Sequence, residues 1–481
     1  SLVRFVVLVQ AVVVFVVVIT AMFVAIIRFK VHPFLAMMVA ALAVGLGSGL
    51  RPTEVAAHVG QGFGGTVGGV GVLVLLGMVF GLILQRSGVA AAIAAIMLRR
   101  VGAKRVPLAM NLTGYLVAVP VTFDAAFYLL VDVAKTMART AKVPLVTVIT
   151  ALTVGLQVTH AMVIPTPGPL AVAGNVGASV PWVLLWSLVV SLPAALIGGV
   201  LYGRWLGRRP QYADHFGENV PAASAASAAP VIDDADADAG SGASGAAGHL
   251  APSGALGITL VLLPVALILL GTGVAQFLDE GSAWYEALAF AGHPTVAMLT
   301  SVVVAFLVLR RHLASTLTDL ARSAIATAAP IVVILGASGA LGRMLGQTAI
   351  GTELPDVLAD LPQTAALGTV MVILAWVVAQ VLRFAMGSTT VSLLTSSAIM
   401  GPIVATMTDV SPVLVAIAIT AGAIGLSLPT NSRFWLVGET AGFDMKTTLR
   451  SWTAGLTIAG VVGLVLTIVL SLFAGVLPGL H

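Results

Sequence analysis

Long apolar runs separated by short polar clusters dominate the chain. Before residue 209 they fall near 5–27, 33–50, 66–85, 106–136 with an interruption, 143–177 with another, and 180–203. After residue 253 they fall near 256–278, 293–309, 326–346, 365–407 with an interruption, 412–437 with another, and 453–477. The two series have the same shape. None of the runs shows the period-two alternation that a barrel strand needs, so each span is predicted to be a helix that satisfies its own backbone in lipid. The fold class read from this pattern is all-α, polytopic and membrane-embedded.

One stretch interrupts the lipid-like pattern. Arg209 to Ser253 contains "AASAASAAPVIDDADADAGSGASGAAGH" and offers little to bury, so it reads as a flexible acidic linker on the cytoplasmic side. The chain then divides into a first repeat at 1–208, the linker at 209–253 and a second repeat at 254–481. Local sequence agrees: "LGMVFGLILQRSG" at Leu76 and "LGASGALGRMLGQ" at Leu335 occupy equivalent places. Each half is expected to be one repeat.

Composition sharpens the class. The chain of 481 residues is 59% hydrophobic and 9% charged, with a mean hydropathy of +1.09, outside the range of soluble domains. Leu2–Ile27 is too long for a signal-peptide core and reads as the first span; a chain that begins at Ser1 is expected to have had its natural start trimmed or replaced. The chain has no cysteine, which excludes disulfides, thiolate chemistry and Cys-based metal centres. A net charge of +4 with a pI near 9.6 reflects basic clusters between spans, and nucleic acid is not implied.

Those clusters set the topology. Arg28, Lys30, Arg99, Arg100, Lys104, Arg105, Lys135, Arg139, Lys142, Arg204, Arg208 and Arg209 are expected in the cytoplasm, followed by Arg310, Arg311, Arg322, Lys446 and Arg450. Basic residues flank 106–136 at both ends, which predicts a re-entrant hairpin from the cytoplasm. The counterpart at 365–407 is flanked by Asp356, Asp360 and Asp409 and is expected to enter from outside. The second half is then inverted relative to the first, an arrangement of secondary transporters.

Ionisable residues deep in apolar runs are costly, about 2.5–3.5 kcal/mol on insertion scales, and therefore informative. Asp124 falls at the first expected tip, in "VPVTFDAAFYLL". It fits either a proton or cation carrier or an N-cap of the returning helix. Asp132 is expected near the cytoplasmic end of that helix. Arg383 falls at the second tip, in "VLRFAMGSTTVSLLTSS". Its guanidinium fork matches a carboxylate, and Gly387, Ser388, Thr389 and Thr390 add a turn, hydroxyls and a helix N-terminus that favours anions; a snorkelling arginine is the alternative.

Two further stretches break their own helices. "VTHAMVIPTPGPLAVAGN" carries His160 and Thr166, and "LSLPTNSRFW" carries Ser427, Thr430 and Asn431. Proline beside polar side chains predicts unwound backbone at mid-span, tolerable only where it lines an enclosed cavity. His160 reads either as a packed core residue or as a participant in ligand or proton handling. Arg433, at the end of the second stretch, is expected to face the surface.

Other signals are weak. "GQGFGGTVGGVG" at Gly60 lacks the Lys-Ser/Thr ending and preceding strand of a phosphate loop and reads as close helix packing. His58, Asp214, His215 and Glu218 show no metal-ligand spacing. No metal and no cofactor are expected, and no nucleophile-base pair marks an enzyme.

The motifs "GFGGTVGGVGVLV", "THAMVIPTPGPLAVAGN", "RFAMGSTTVSLLTSSAIMGP" and "FWLVGETAGFDMKTTLRSWT" resemble those of the gluconate permease (GntP) family of bacterial proton symporters. The resemblance implies an inner-membrane, multi-pass symporter of the ion-transporter superfamily, a homodimer, moving sugar acids or hydroxy acids by an elevator-like shift of its hairpin domain. Three positions depart from the family pattern. Thr166 stands where a second histidine is usual, Asp124 where a glutamate is usual, and Ser427–Trp435 replaces "SHxNDxGFW".

The combined expectation is a proton-coupled importer of a small polar carboxylate. Arg383, Gly387, Ser388, Thr389 and Thr390 bind the carboxylate, and His160, Thr166, Ser427, Thr430 and Asn431 contact its hydroxyls. Asp124 or His160 carries the coupling proton. A sodium-coupled anion symporter of the same superfamily and an uncoupled channel or facilitator are the alternatives.

Overall fold

The computed structural model describes residues 2–101, 105–119, 121–216, 252–275, 278–279, 282–353, 365–405, 407, 410–429 and 431–480. Thr430, Asp356, Asp360, Asp409, Lys104 and residues 217–251 of the expected linker lie outside these. All regular structure among the described residues is helical. Nine helices there are long and apolar enough to cross a membrane.

In the first half, α1 (Leu2–Arg28) and α2 (Pro33–Gly47) precede α3, a continuous helix at Pro52–Arg86 with a π turn at Val67–Gly71. Then come α4 (Val89–Val101), α5 (Val106–Val117), α6 (Phe123–Ala141), α7 (Leu145–Met162), α8 (Pro167–Asn175) and α9 (Val180–Gly207). The second half comprises α10 (Gly254–Ala275), α11 (Ala283–Gly292), α12 (Pro294–Leu309), α13 (Leu317–Gly346), α14 (Ala365–Met386), α15 (Thr389–Val404), α16 (Pro412–Gly422), α17 (Ser432–Ala441) and α18 (Met445–Leu472). The apolar series anticipated most of these, but α3 starts well before its apolar run, and α4 and α11 fall outside it.

The halves interlock. Helix α13 packs along α2 and α3, α12 along α3, α15 on α8, α17 on α6, and α18 against α9. Helix α7 is the interior post, with a nearly wholly buried span. By contrast α1 leaves Val6, Val13, Val16 and Val17 more than half exposed, as a lipid-facing helix does.

Small residues allow the closest approach. A methyl on Gly62 of α3 would lie 2.6 Å from the Gly339 carbonyl oxygen of α13. Most of the glycine run departs from the packing expected of it: a methyl on Gly60, Gly64, Gly65, Gly68 or Gly69 would meet nothing within 4 Å. The reason is geometric, since a helix presents one face to one neighbour.

Both expected breaks are present. Helix α7 stops at Met162 and α8 resumes at Pro167, whose missing N–H suits a first helical position. At about 1.5 Å per residue, α8, α16 and α17 are each far shorter than a bilayer core of about 30 Å. The expected linker starts in ordered structure: Pro210–Ala213 forms one helical turn, Tyr212 is buried with Val146 and Leu206, and the Leu145 N–H donates to the His215 carbonyl at 2.8 Å.

Candidate functional site

The second hairpin turns at Gly387, whose φ of +69° is open to glycine without strain. Ser388 follows as the N-cap of α15 and accepts from the Val391 N–H at 3.4 Å. Arg383, in the last turn of α14, is fully buried. It folds back to donate to the Gly387 carbonyl, and its Nη2 donates to Ser427 Oγ at 2.8 Å. Hairpin tip and second break are thus tied by one guanidinium.

Ser427 is the hub of the second break. Its hydroxyl also accepts from Trp452 Nε1 at 2.8 Å, and its carbonyl accepts from the Thr453 hydroxyl, both residues of α18. The unwound backbone continues to be satisfied by side chains: the Leu426 N–H donates to Thr457 Oγ1 at 3.1 Å, and Trp435 Nε1 donates to the Pro429 carbonyl at 2.8 Å. This is how exposed peptide groups become tolerable within a bilayer. Asn431 caps α17, its Oδ1 accepting from the Arg433 N–H at 2.7 Å.

Arg433 corrects the sequence reading. Only 11% of its side chain is exposed, and it grips Asp124 of α6 with Nη2 at 3.1 Å from Oδ2 and Nε at 3.3 Å from both oxygens. It lies 5.2 Å over the Phe123 ring and reaches Gln157 Oε1 at 3.5 Å. The surface expectation failed because the partner is 309 residues away in sequence. The N-cap role for Asp124 also fails: Thr122 occupies that position, and Asp124 is the second residue of α6 with its carboxylate turned to Arg433.

Gln157 of α7 closes the arrangement. Its Nε2 donates to Thr389 Oγ1 at 3.1 Å, at the start of α15. Phe123 meets Trp452 edge-on at 5.2 Å between centroids. A ring of side chains therefore runs Arg383, Ser427, Trp452, Phe123, Arg433, Gln157, Thr389 and back through Ser388 and Gly387 to Arg383. His160, in the last turn of α7, stands within electrostatic reach of Asp124, Arg433 and Arg383.

The remaining expectations sort plainly. Thr166 is buried as the residue before α8, its hydroxyl donating to the Val163 carbonyl at 2.6 Å within the break itself. Thr390 is partly buried beside Thr389. Asp132 is 56% exposed and lies 3.7 Å from Lys135. Gln157, Trp452 and Arg433 were missed. Gln157 carried a usable signal, as the one amide in the apolar run Leu145–Met162, whereas nothing in the sequence around Trp452 points to Ser427.

Comparison with known proteins gives this geometry a family. The GntP family permease model matches residues 10–473. The gluconate permease of Pseudomonas aeruginosa is 34% identical over 457 residues, covering 94% of this chain and 96% of that protein. The D-serine transporter of Escherichia coli K12 is 32% identical, covering 93% and 95% respectively, and the low-affinity gluconate transporter of the same organism is 31% identical, covering 90% and 92%. A crystal structure of the Alcanivorax borkumensis YdaH transporter shares the fold, with a TM-score of 0.65 at 14% identity, over 94% of this chain and 100% of that one. With a family match across nearly its whole length and a helical, membrane-spanning architecture, this chain belongs to the GntP family of permeases and is a membrane transporter.

Proposed function

We propose that the protein is a proton-coupled symporter that imports a small polar carboxylate across a bacterial inner membrane. The observation that carries this reading is the fully buried Arg383 at the hairpin tip, joined to the unwound segment at Ser427 and adjacent to the N-terminus of α15. A guanidinium in that setting suits a carboxylate. Gluconate and D-serine, named for two relatives, share a carboxylate on a short hydroxyl-bearing chain. Thr389, Ser427, Asn431 and His160 are chemically suited to such hydroxyls, and Asp124 or His160 carries the proton.

The two halves act as inverted repeats in this reading, each supplying one hairpin and one broken helix. The parallel element order supports it: α5–α6 then α7–α8 in the first half, α14–α15 then α16–α17 in the second. Hairpins and broken helices shift as one body against the rest within a homodimer. Uptake of labelled gluconate into proteoliposomes with an inward pH gradient and no sodium tests the coupling. Accumulation above equilibrium that collapses with a protonophore is expected; accumulation only after sodium is added, or no accumulation under any ion gradient, overturns it.

A further inference from the structure

The site contains two arginines, and the proposed carboxylate contact employs one. Arg433 belongs to the same ring of side chains as Arg383, and His160 is within electrostatic reach of both. The Arg433 guanidinium lies over Phe123 and is 11% exposed, whereas the Asp124 side chain that it holds is 43% exposed. The fixed, sheltered member of the pair is therefore the cation. The accessible member is a carboxylate, which an incoming carboxylate can replace atom for atom.

Resting on the carboxylate-symport reading, we infer that Arg433 is a second, specificity-determining carboxylate anchor, that Asp124 occupies it in the empty site, and that the substrate is a small hydroxylated dicarboxylate. One carboxylate meets Arg383 and the other takes the place of Asp124 on Arg433. Asp124, displaced beside a new anion, takes up a proton (H+) on its carboxylate oxygen from the aqueous phase on the side of substrate entry, so one proton enters with the second carboxylate and the charge of the site is unchanged by the exchange. Gln157 stands beside the pair, its Oε1 facing Nη1 of Arg433 at 3.5 Å while its Nε2 donates to Thr389.

Among the described residues, few other groups bear on this carboxylate. From α7 it is faced by His160 and from α17 by Arg433, with Glu439 further along that helix; its own helix presents Tyr128. Helices α5 and α4 also pack on α6 and carry Tyr115, which is engaged with Ser191 at 2.6 Å, and the exposed Arg100. His160 is thus the competing proton carrier, and the experiment has to separate the two.

Binding of gluconate and of glucarate, its dicarboxylate counterpart, is measured by calorimetry on the purified protein between about pH 5.5 and 8, where both ligands are ionised. Glucarate is expected to bind more tightly as pH falls. Arg433→Gln is expected to weaken glucarate roughly tenfold or more, the worth of a lost charge-assisted pair, and gluconate by less than about threefold. Asp124→Asn is expected to bind glucarate with no pH dependence, and His160→Gln to retain it. Arg433→Lys, which keeps charge without the fork, is expected to fall between, and it serves if the glutamine variant does not fold.

Equal loss of both ligands in Arg433→Gln, or loss of neither, overturns the second anchor. Retained pH dependence in Asp124→Asn with its disappearance in His160→Gln overturns the exchange. If wild type binds gluconate but not glucarate, the inference fails and the carboxylate reading stands. If it binds neither, the inference fails.

Discussion

The bond from Gln157 to Thr389 joins the interior post of the first half to the hairpin tip of the second, and its strength can be measured in isolation. Gln157 is fully buried and Thr389 is 2% exposed. Their contact is 3.1 Å, ordinary for a neutral hydrogen bond, so its net worth is about 0.5–1.5 kcal/mol. The second contact of Gln157, from Arg433 at 3.5 Å, is at the outer limit of such geometry and adds little. Gln157→Leu leaves a buried hydroxyl that can turn its proton elsewhere, so the single variant should lose about 1–2 kcal/mol.

A double-mutant cycle with Thr389→Val removes the ambiguity. Val keeps the shape of Thr, and the coupling between the two substitutions should be about 1 kcal/mol. Unfolding by titration with SDS in mixed micelles reads the differences between variants. A coupling below about 0.3 kcal/mol, within the additivity of independent sites, would refute the bond and open the ring of side chains at that point.

Three further outcomes follow from the packing. Gly62→Leu should destabilise by about 1–3 kcal/mol through overpacking on Gly339 and Ala340, while Gly64→Leu, with nothing within 4 Å, should cost nothing measurable in the same SDS titration. Asn111→Leu removes donors to the Ala151 carbonyl at 2.7 Å and the Ala195 carbonyl at 3.1 Å and should lower stability by about 1–3 kcal/mol, seen as an earlier thermal unfolding midpoint. Asp444, in the loop before α18, is held below the usual carboxyl range by its bond with Thr447; its stabilisation is present above the unfolded-state value and lost as pH falls through the folded one, so Asp444→Asn should flatten the acid limb of stability against pH.

What the sequence makes legible follows from local physics. Pro165, Pro167 and Pro169 cannot continue a helix with full hydrogen bonding, so the break at Val163–Thr166 is visible from composition, and Gly387 before Ser388 marks the hairpin turn equally well. The start of α3 at Pro52 is hidden because "GQGFGG" is neither apolar nor a good helix former, and its fit against α13 and α2 stabilises it there. Arg433 shows the deeper limit. Its charge and its place beside a polar break were both visible, but whether such a residue faces outward or pairs inward depends on a partner in the other half, and no periodicity encodes that distance.

The distribution of polar bonds bears on how such a molecule can move. Asp124 to Arg433 joins α6 to α17, Gln157 to Thr389 joins α7 to α15, and Asn175 to Ser397 joins α8 to α15 at 2.9 Å. Each bond crosses between halves, and each links a hairpin to a broken helix. Parting α7 and α8 from α15 would strand the buried groups of the last two bonds at about 1–3 kcal/mol apiece. Apolar surfaces sliding past one another in lipid face no comparable penalty, since lipid tails are as apolar as the side chains that they meet. Asn175 also donates to Ser338 of α13 at 3.0 Å, and Tyr115 with Ser191, Asn111 with the Ala195 carbonyl and Ser427 with Trp452 tie the same elements to α9 and α18. Under the transport reading proposed above, a rearrangement that carries the hairpins and broken helices together, with the parts of α9 and α18 bonded to them, therefore costs less than one that parts them.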